Sequence, residues 1–283
     1  MSILITGATG SLGQLVIAEL LGRGVPAGQI TAGGRNEVAL AEFASRGLKT
    51  ARLDYRDPES LRAAFAGQER VLLISSNDMN DRAGQHANAV AAAAEAGVGH
   101  LAYTSILDAQ NSSHVLAPDH AATERVIEAS GVPFTFLRDG WYNENYLPML
   151  EQARQTGEIS SATAGGRIAS AARADYAAAA ATVLTGEGHT GRTYELAGDT
   201  AWNFAELADI LGEVLGTPVS NIERTPAEQG EALRAAGLDA GTAGFLVAMD
   251  EGVAAGTLDN TSGELRELIG RPTRTLIDTL RDA

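Results

Sequence analysis

Three glycines spaced as Gly7-Ala8-Thr9-Gly10-Ser11-Leu12-Gly13 lie between a short apolar run over 3–6 and a helical pattern carrying Leu12, Val16, Leu20 and Leu21. A strand, a glycine turn and a helix in that order can cradle a phosphate. Glycine accepts positive φ and lets the backbone approach a pyrophosphate, and the helix that follows offers free N–H groups and a positive dipole end. Gly13 lets the helix pack closely on the strand. The spacing is Gly-x-x-Gly-x-x-Gly, not the Gly-x-Gly-x-x-Gly of dehydrogenase Rossmann folds. A glycine triplet also fits an ordinary turn, so the flanking strand and helix are what point to a dinucleotide. Gly7, Thr9, Gly10, Ser11, Leu12 and Gly13 are the first candidate cofactor contacts.

Arg35 bears on which dinucleotide. It stands 22 positions after Gly13 (35 − 13), past the second expected strand, where NAD-specific proteins place an acid on the ribose 2′-hydroxyl. An acid repels a 2′-phosphate, whereas an arginine grips one bidentately, so the expected cofactor is NADPH. The alternative is a solvated surface arginine. Gly33 and Gly34 before it would leave room for the adenosine, and Asp54, after the third strand, could accept from the adenine amino group or cap a turn.

Other chemistries lack their residues. There is no cysteine, hence no disulfide, thiolate metal site or cysteine nucleophile. His86, His114 and His189 have no acid or histidine at metal-ligand spacing, so no metal is expected. No Gly-x-Ser-x-Gly elbow is present for a hydrolase. The only lysine is Lys49, so the Tyr-x-x-x-Lys acid pair of short-chain dehydrogenases cannot form; Tyr103 is followed four positions later by Leu107. A net charge of −15 argues against a nucleic-acid partner, because phosphate contacts need clustered Lys and Arg. Apolar runs are short or alanine-rich, and no charged segment with an apolar stretch precedes the first strand. A cytoplasmic protein without a membrane span is expected.

The elements that must hold these residues read as alternating strands and helices. Strands are expected over 3–6, 29–32, 50–53, 71–74, 100–103 and 133–137. Between them come helices over 37–45, from Pro58, over 81–96 and over 119–130. This alternation is the mark of βαβ units and a parallel sheet. Beyond residue 139 the pattern mixes helices over 145–156, 174–184, 205–215 and 226–235 with strands over 192–196 and 219–222. The expected fold is α/β: a Rossmann-type doubly wound parallel sheet in 1–140. A smaller C-terminal α/β substrate lobe in 141–283 would interleave with late pieces of the sheet. Ligands of such sheets sit beyond the carboxyl ends of the strands, where Ser75, Ser76, Asn77, Thr104, Ser105 and 139–144 are expected.

Together these residues resemble a known family. The cradle, Arg35-Asn36, Leu72-Leu73-Ile74-Ser75-Ser76, Ala102-Tyr103-Thr104-Ser105 and Arg138-Asp139-Gly140-Trp141-Tyr142-Asn143-Glu144-Asn145-Tyr146 look like those of an NmrA-like atypical short-chain dehydrogenase. Within that group the chain resembles the bacterial NADPH:quinone oxidoreductases of the second type. The stretches 169–176 and 194–199 also fit. The resemblance implies that Ser75, Ser76 and Asn77 line the ribose and pyrophosphate, and that Thr104, Asp139, Gly140, Glu144 and Arg173 belong to the cofactor site. It also implies that Trp141, Tyr142 and Asn143 meet the nicotinamide and a small quinone. Tyr142 and Asn143 are the candidate catalytic residues. Core packing competes for Trp141 and Tyr146, and an ion pair with Asp175 competes for Arg173. In several related reductases a lysine stands near residues 119–120; His120 could replace it, or be a capping or surface histidine.

Losing the lysine favours a quinone over a ketone. A reduced ketone is a basic alkoxide that needs an acid, while a hydroquinone anion is far less basic and accepts a proton from water or a tyrosine. Positioning two flat rings is then most of the task. Two other readings remain open: a non-catalytic NADP-sensing regulator of the NmrA type, and a reductase of another activated double bond.

Overall fold

The computed structural model describes residues 1–78 and 80–283. Its elements run in chain order from β1 (Ile3–Ile5), α1 (Ser11–Gly22), β2 (Ile30–Gly34) and α2 (Glu37–Ser45) to β3 (Lys49–Arg52) and α3 (Pro58–Phe65). Then come β4 (Arg70–Leu73), α4 (Arg82–Glu95), β5 (His100–Ile106), α5 (Ala117–Ser130) and β6 (Phe134–Asp139). The later part holds β7 (Trp141–Tyr142), α6 (Leu147–Thr156), β8 (Glu158–Ser161), β9 (Ser170–Ala171), α7 (Arg173–Thr185) and β10 (Arg192–Leu196). It ends with α8 (Phe204–Leu215), β11 (Ser220–Glu223), α9 (Pro226–Ala235), α10 (Ala240–Ala254), α11 (Glu264–Ile269) and α12 (Leu276–Arg281). Among the described residues no helix is long and apolar enough to cross a membrane.

Two compact units divide the chain. The first comprises Met1–Ala109, Pro118–Asp139 and Arg173–Tyr194. Its sheet has the order β10-β6-β5-β4-β1-β2-β3, with β3 through β6 paired in parallel, the Rossmann order extended by one strand at the β6 edge. Strands buried on both faces read as unbroken apolar runs, and Ile3, Leu4, Ile5, Val71, Leu72 and Leu73 are all fully buried. The period of two puts Leu4, Val71, Leu73, Leu101 and Tyr103 in one cluster with Leu61 and Phe65 of α3 and Val90 of α4. Helix α7 packs against α1 through alanines; Ala177 to Ala181 are all buried. Helix α3 starts where its sequence signals, with Asp57 capping Glu59 and Ser60 and proline in the first turn.

Strand β5 is longer than its sequence suggests. It runs to Ile106 because β6 continues beside it, pairing Thr104 with Leu137, Ser105 with Arg138 and Ile106 with Asp139. Thr104, Ser105 and Asp139 therefore lie within strands, not past their ends. A polar side chain is tolerated at Ser105 because it finds a buried partner. Ser105 Oγ donates to Glu124 Oε1 at 2.6 Å, and Arg138 forks onto the same carboxylate at 2.8 and 2.7 Å.

The second unit comprises Gln110–Ala117, Gly140–Ala172 and Glu195–Ala283. It contains two short parallel pairs, β8 with β11 and β7 with β9, among helices α6 and α8 to α12. Its core includes Tyr146, Trp202 and Phe204, whose rings meet edge to face.

Candidate active site

The cradle is built as an anion site. Gly7 adopts φ +59°, the left-handed region that glycine enters without cost, and the turn closes with Gly10 N–H donating to Gly7 O at 3.0 Å. Gly10 caps α1 with no side-chain bond, and no acid stands in the first turn. The main-chain N–H groups of Ser11, Leu12 and Gly13 find no acceptor among the described residues. These are the free donors of a helix N-terminus, which favour a phosphate. Gly13 is needed for the close approach: a Cβ there would lie 2.5 Å from Gly7 O and 2.7 Å from Ala8 Cα.

Arg35 follows β2, is exposed, and forms no ion pair or hydrogen bond through its side chain among the described residues. Its guanidinium is available to an external anion. The missing side chains before it are filled by protein. A Cβ on Gly34 would meet Thr9 Cγ2 at 3.0 Å, and one on Gly33 would press on Ile5 O, Leu4 and Leu53 at 3.2 Å. Asp54 gives both carboxylate oxygens to Arg56, at 3.1 and 2.8 Å, and Arg56 with Arg35 nearby lowers its pKa to about 2. Any acceptor role toward adenine shares that carboxylate with Arg56.

Beyond β4 the chain leaves the ladder and hangs on side chains. Tyr55 Oη contacts Thr6 Oγ1 at 2.5 Å and donates to Ile74 O at 2.6 Å, tying this end of β4 to β1. Thr6 Oγ1 also accepts from Ile74 N–H at 3.0 Å. Ser75 N–H donates to Thr104 Oγ1 at 2.8 Å. Ser76 spends its hydroxyl on Gln85, while the side chain of exposed Asn77 makes no hydrogen bond among the described residues. Gly7 lies against this loop, with its Cβ position 3.4 Å from Ile74 Cβ.

Beneath the loop lies a buried polar cluster that sequence reasoning missed. Tyr103 Oη is 2.8 Å from His120 Nδ1 and 3.4 Å from His86 Nδ1, and all three residues are buried. His120 is thus not a surface residue. Burial pushes the Tyr103 hydroxyl well above its ordinary range, so it stays protonated. A tyrosine and two histidines 17 residues away on either side were the only signal available.

In the second unit the residues after β6 divide into two kinds. Gly140 N–H donates to Leu196 O at 2.7 Å. Trp141, Tyr142 and Glu144 are half-buried, and the Trp141 ring lies 5.9 Å from that of His114. Asn143 is fully buried. Its Nδ2 donates to Arg274 O, Thr275 O and Thr279 Oγ1 at 2.9 to 3.2 Å, and its Oδ1 accepts from Ser170 Oγ at 2.6 Å. With its amide spent this way, Asn143 rivets the second unit together, which leaves Tyr142 as the more accessible of the two catalytic candidates. Tyr146 is buried against Trp202, as core packing requires. Arg173 opens α7 in the first unit and is half-buried. Among the described residues no three His, Asp or Glu side chains group to hold a metal.

The comparisons with known proteins fall in line with this geometry. A family model described as NAD(P)H-binding matches residues 7–187. The chain is 44% identical over 278 residues to quinone oxidoreductase 2 of Escherichia coli, covering 98% of this chain and 97% of that protein. The crystal structure of that bacterium's NADPH-dependent quinone oxidoreductase, complexed with NADPH, superposes with TM-score 0.95 over 99% of both chains. The triphenylmethane reductase of Citrobacter sp., complexed with NADP(H), superposes with TM-score 0.93 at 38% identity over 100% of both chains. The chain belongs to the NAD(P)H-binding, NmrA-like reductases, in the group that includes quinone oxidoreductase 2.

Proposed function

We propose that this protein is an NADPH-dependent quinone reductase, passing a hydride from nicotinamide C4 to a small quinone. For the acceptor, the observation that carries the reading is the 44% identity to quinone oxidoreductase 2 along almost the whole chain. For the cofactor, it is the pairing of an α1 N-terminus that has no side-chain cap with an Arg35 that makes no ion pair among the described residues. Bound NADPH supplies the hydride; the protein supplies place and environment.

The N–H groups of Ser11, Leu12 and Gly13 bind the pyrophosphate, and Thr9 and Gly7 shape the turn that aims them. Arg35 forks onto the ribose 2′-phosphate. Ser75, Ser76 and Asn77 line the ribose, held from behind by Thr104. Asp139, Gly140, Glu144 and Arg173 complete the cofactor's surroundings, and Asp54 stands at its adenine end. Trp141 and Tyr142 offer the acceptor an aromatic wall with one hydroxyl, and Asn143 keeps that wall in place. Quinone and hydride give a hydroquinone monoanion, which takes its proton from water or Tyr142. The single lysine thus removes an acid that this acceptor does not need. The reading carries a cytoplasmic location, where NADPH is kept reduced.

Steady-state NADPH oxidation with and without 1,4-benzoquinone tests the reading. Consumption should rise with quinone concentration and saturate. Tight NADPH binding without quinone-dependent consumption would favour a cofactor sensor, and turnover only with an activated alkene or a cationic dye would move the acceptor class.

A further inference from the structure

We propose that Arg82, Gln85 and His86 of α4 are positioning residues for the cofactor, gripping Ser76 on three sides so that Ser75 and Asn77 are presented to the dinucleotide. The proposal rests on the NADPH reading above and goes beyond it, because none of the three is itself a candidate contact.

Ser76 has four polar functions, and each is answered inside the protein. Its N–H donates to His86 Nε2 at 2.9 Å, and its carbonyl accepts from Arg82 Nε at 2.7 Å. Its hydroxyl donates to Gln85 Oε1 at 3.0 Å and accepts from Asp78 N–H at 3.1 Å. Gln85 Nε2 then donates to Asp78 Oδ2 at 2.7 Å, closing the ring of bonds around the loop. The three gripping residues occupy positions i, i+3 and i+4 of one helix and so share a face. They are 6%, 4% and 0% exposed. Burying a guanidinium, an amide and an imidazole is costly unless they are hydrogen-bonded, and here each of the three gives at least one bond to the same loop residue.

The tautomer of His86 follows from the same geometry. Because Nε2 accepts from Ser76, the ring proton sits on Nδ1, which meets Thr123 Oγ1 at 2.9 Å and Tyr103 Oη at 3.4 Å. A protonated ring would set two donors face to face. Burial and the neighbouring Arg82 charge lower the His86 pKa to about 3, so the ring stays neutral and the grip holds at ordinary pH. The contrast within the loop is informative. Ser76 is fully engaged, while the neighbouring Asn77 side chain is exposed and makes no hydrogen bond among the described residues. The loop is tied down at Ser76 and open at Asn77, as a cofactor support should be.

Three variants of the full chain separate positioning from general stability. Glutamine can place Oε1 where His86 Nε2 stands, so His86→Gln should bind NADPH within about twofold of wild type. His86→Leu and Gln85→Met each leave a half-buried polar group of Ser76 without its partner and should weaken NADPH about tenfold, with the KM for benzoquinone unchanged. If His86→Leu fails to fold, Gln85→Met carries the comparison. Folded Gln85→Met or His86→Leu protein that binds NADPH as wild type does would overturn the proposal. So would a parallel rise in the KM values for NADPH and quinone, or a loss that His86→Gln shares with His86→Leu. Wild-type protein that does not bind NADPH would overturn the cofactor reading itself, and this inference with it.

Discussion

Replacing Gly13 with alanine should damage the cradle without touching any side chain. Alanine is worth up to about 1 kcal/mol over glycine inside a helix, so propensity alone makes the substitution stabilising. Packing reverses the sign. The new methyl would lie 2.5 Å from Gly7 O, 2.7 Å from Ala8 Cα and 3.0 Å from Ala8 C. All three atoms are main chain, so no rotamer change relieves the clash, and α1 must slide away from the β1 turn. Overpacking of this kind costs about 1–3 kcal/mol. The slide also carries the N–H groups of Ser11, Leu12 and Gly13 away from where the pyrophosphate sits. Losing one charge-assisted hydrogen bond, about 1.5–3 kcal/mol, weakens NADPH by roughly ten- to a hundredfold. Gly10→Ala is the internal control for stability. Its φ of −82° suits alanine, and its Cβ would meet only Gly7 O, at 3.3 Å. NADPH titration by fluorescence, beside thermal unfolding, reads both effects. Gly13→Ala protein with wild-type affinity and Tm, or a Gly10→Ala protein with the lower Tm of the two, would rule out this clash.

Other consequences follow from the same geometry. Arg35→Ala should weaken NADPH by about ten- to a hundredfold while NADH binding barely moves; equal losses on both cofactors would remove the 2′-phosphate role. Glu124 and Arg138 form a buried bidentate pair at the carboxyl ends of the sheet. Arg138→Leu should therefore cost about 3–5 kcal/mol in urea unfolding, and adding Glu124→Leu should recover part of it. Stability should fall as pH drops below about 6.5, because desolvation lowers His86 to about 3, and His100 and His114 to about 4, while the unfolded chain titrates near 6.5. The unfolded state binds the extra protons in that window, so stability is complete above it and lost below. Asp250 works the other way, since burial, with Glu223 nearby, raises it to about 6. His114→Asn keeps the Nδ1-like acceptor for Leu116 N–H and should flatten part of the acid slope in chemical unfolding at stepped pH.

The first half of the fold could be read because each element announces itself locally. Gly7 to Gly13 end β1 and open α1, Asp57-Pro58 opens α3, and 71–73 is an apolar run that only a doubly covered strand explains. What escaped depends on partners distant in sequence. Thr104 and Ser105 look like the residues after a strand until β6 pairs with them and Glu124 satisfies Ser105. Asn143 looks like a loop residue aimed at a substrate, yet its partners Arg274, Thr275 and Thr279 lie more than 130 positions on. Helix α10 has glycines at 241, 244 and 252 and small residues around its circumference, so no clean apolar stripe marks it. His86 and His120 carry no local signal of burial, because what buries them is Tyr103 and the elements around it.

A bound NADPH should deliver both its electrons to a quinone as hydride. An anaerobic single turnover tests it most directly, with NADPH deuterated at C4 mixed in the presence of excess benzoquinone. One hydroquinone should form per NADPH consumed, more slowly with deuterium, and none should form in Arg35→Ala protein at sub-saturating NADPH. NADPH that stays bound and unoxidised beside the quinone would contradict it.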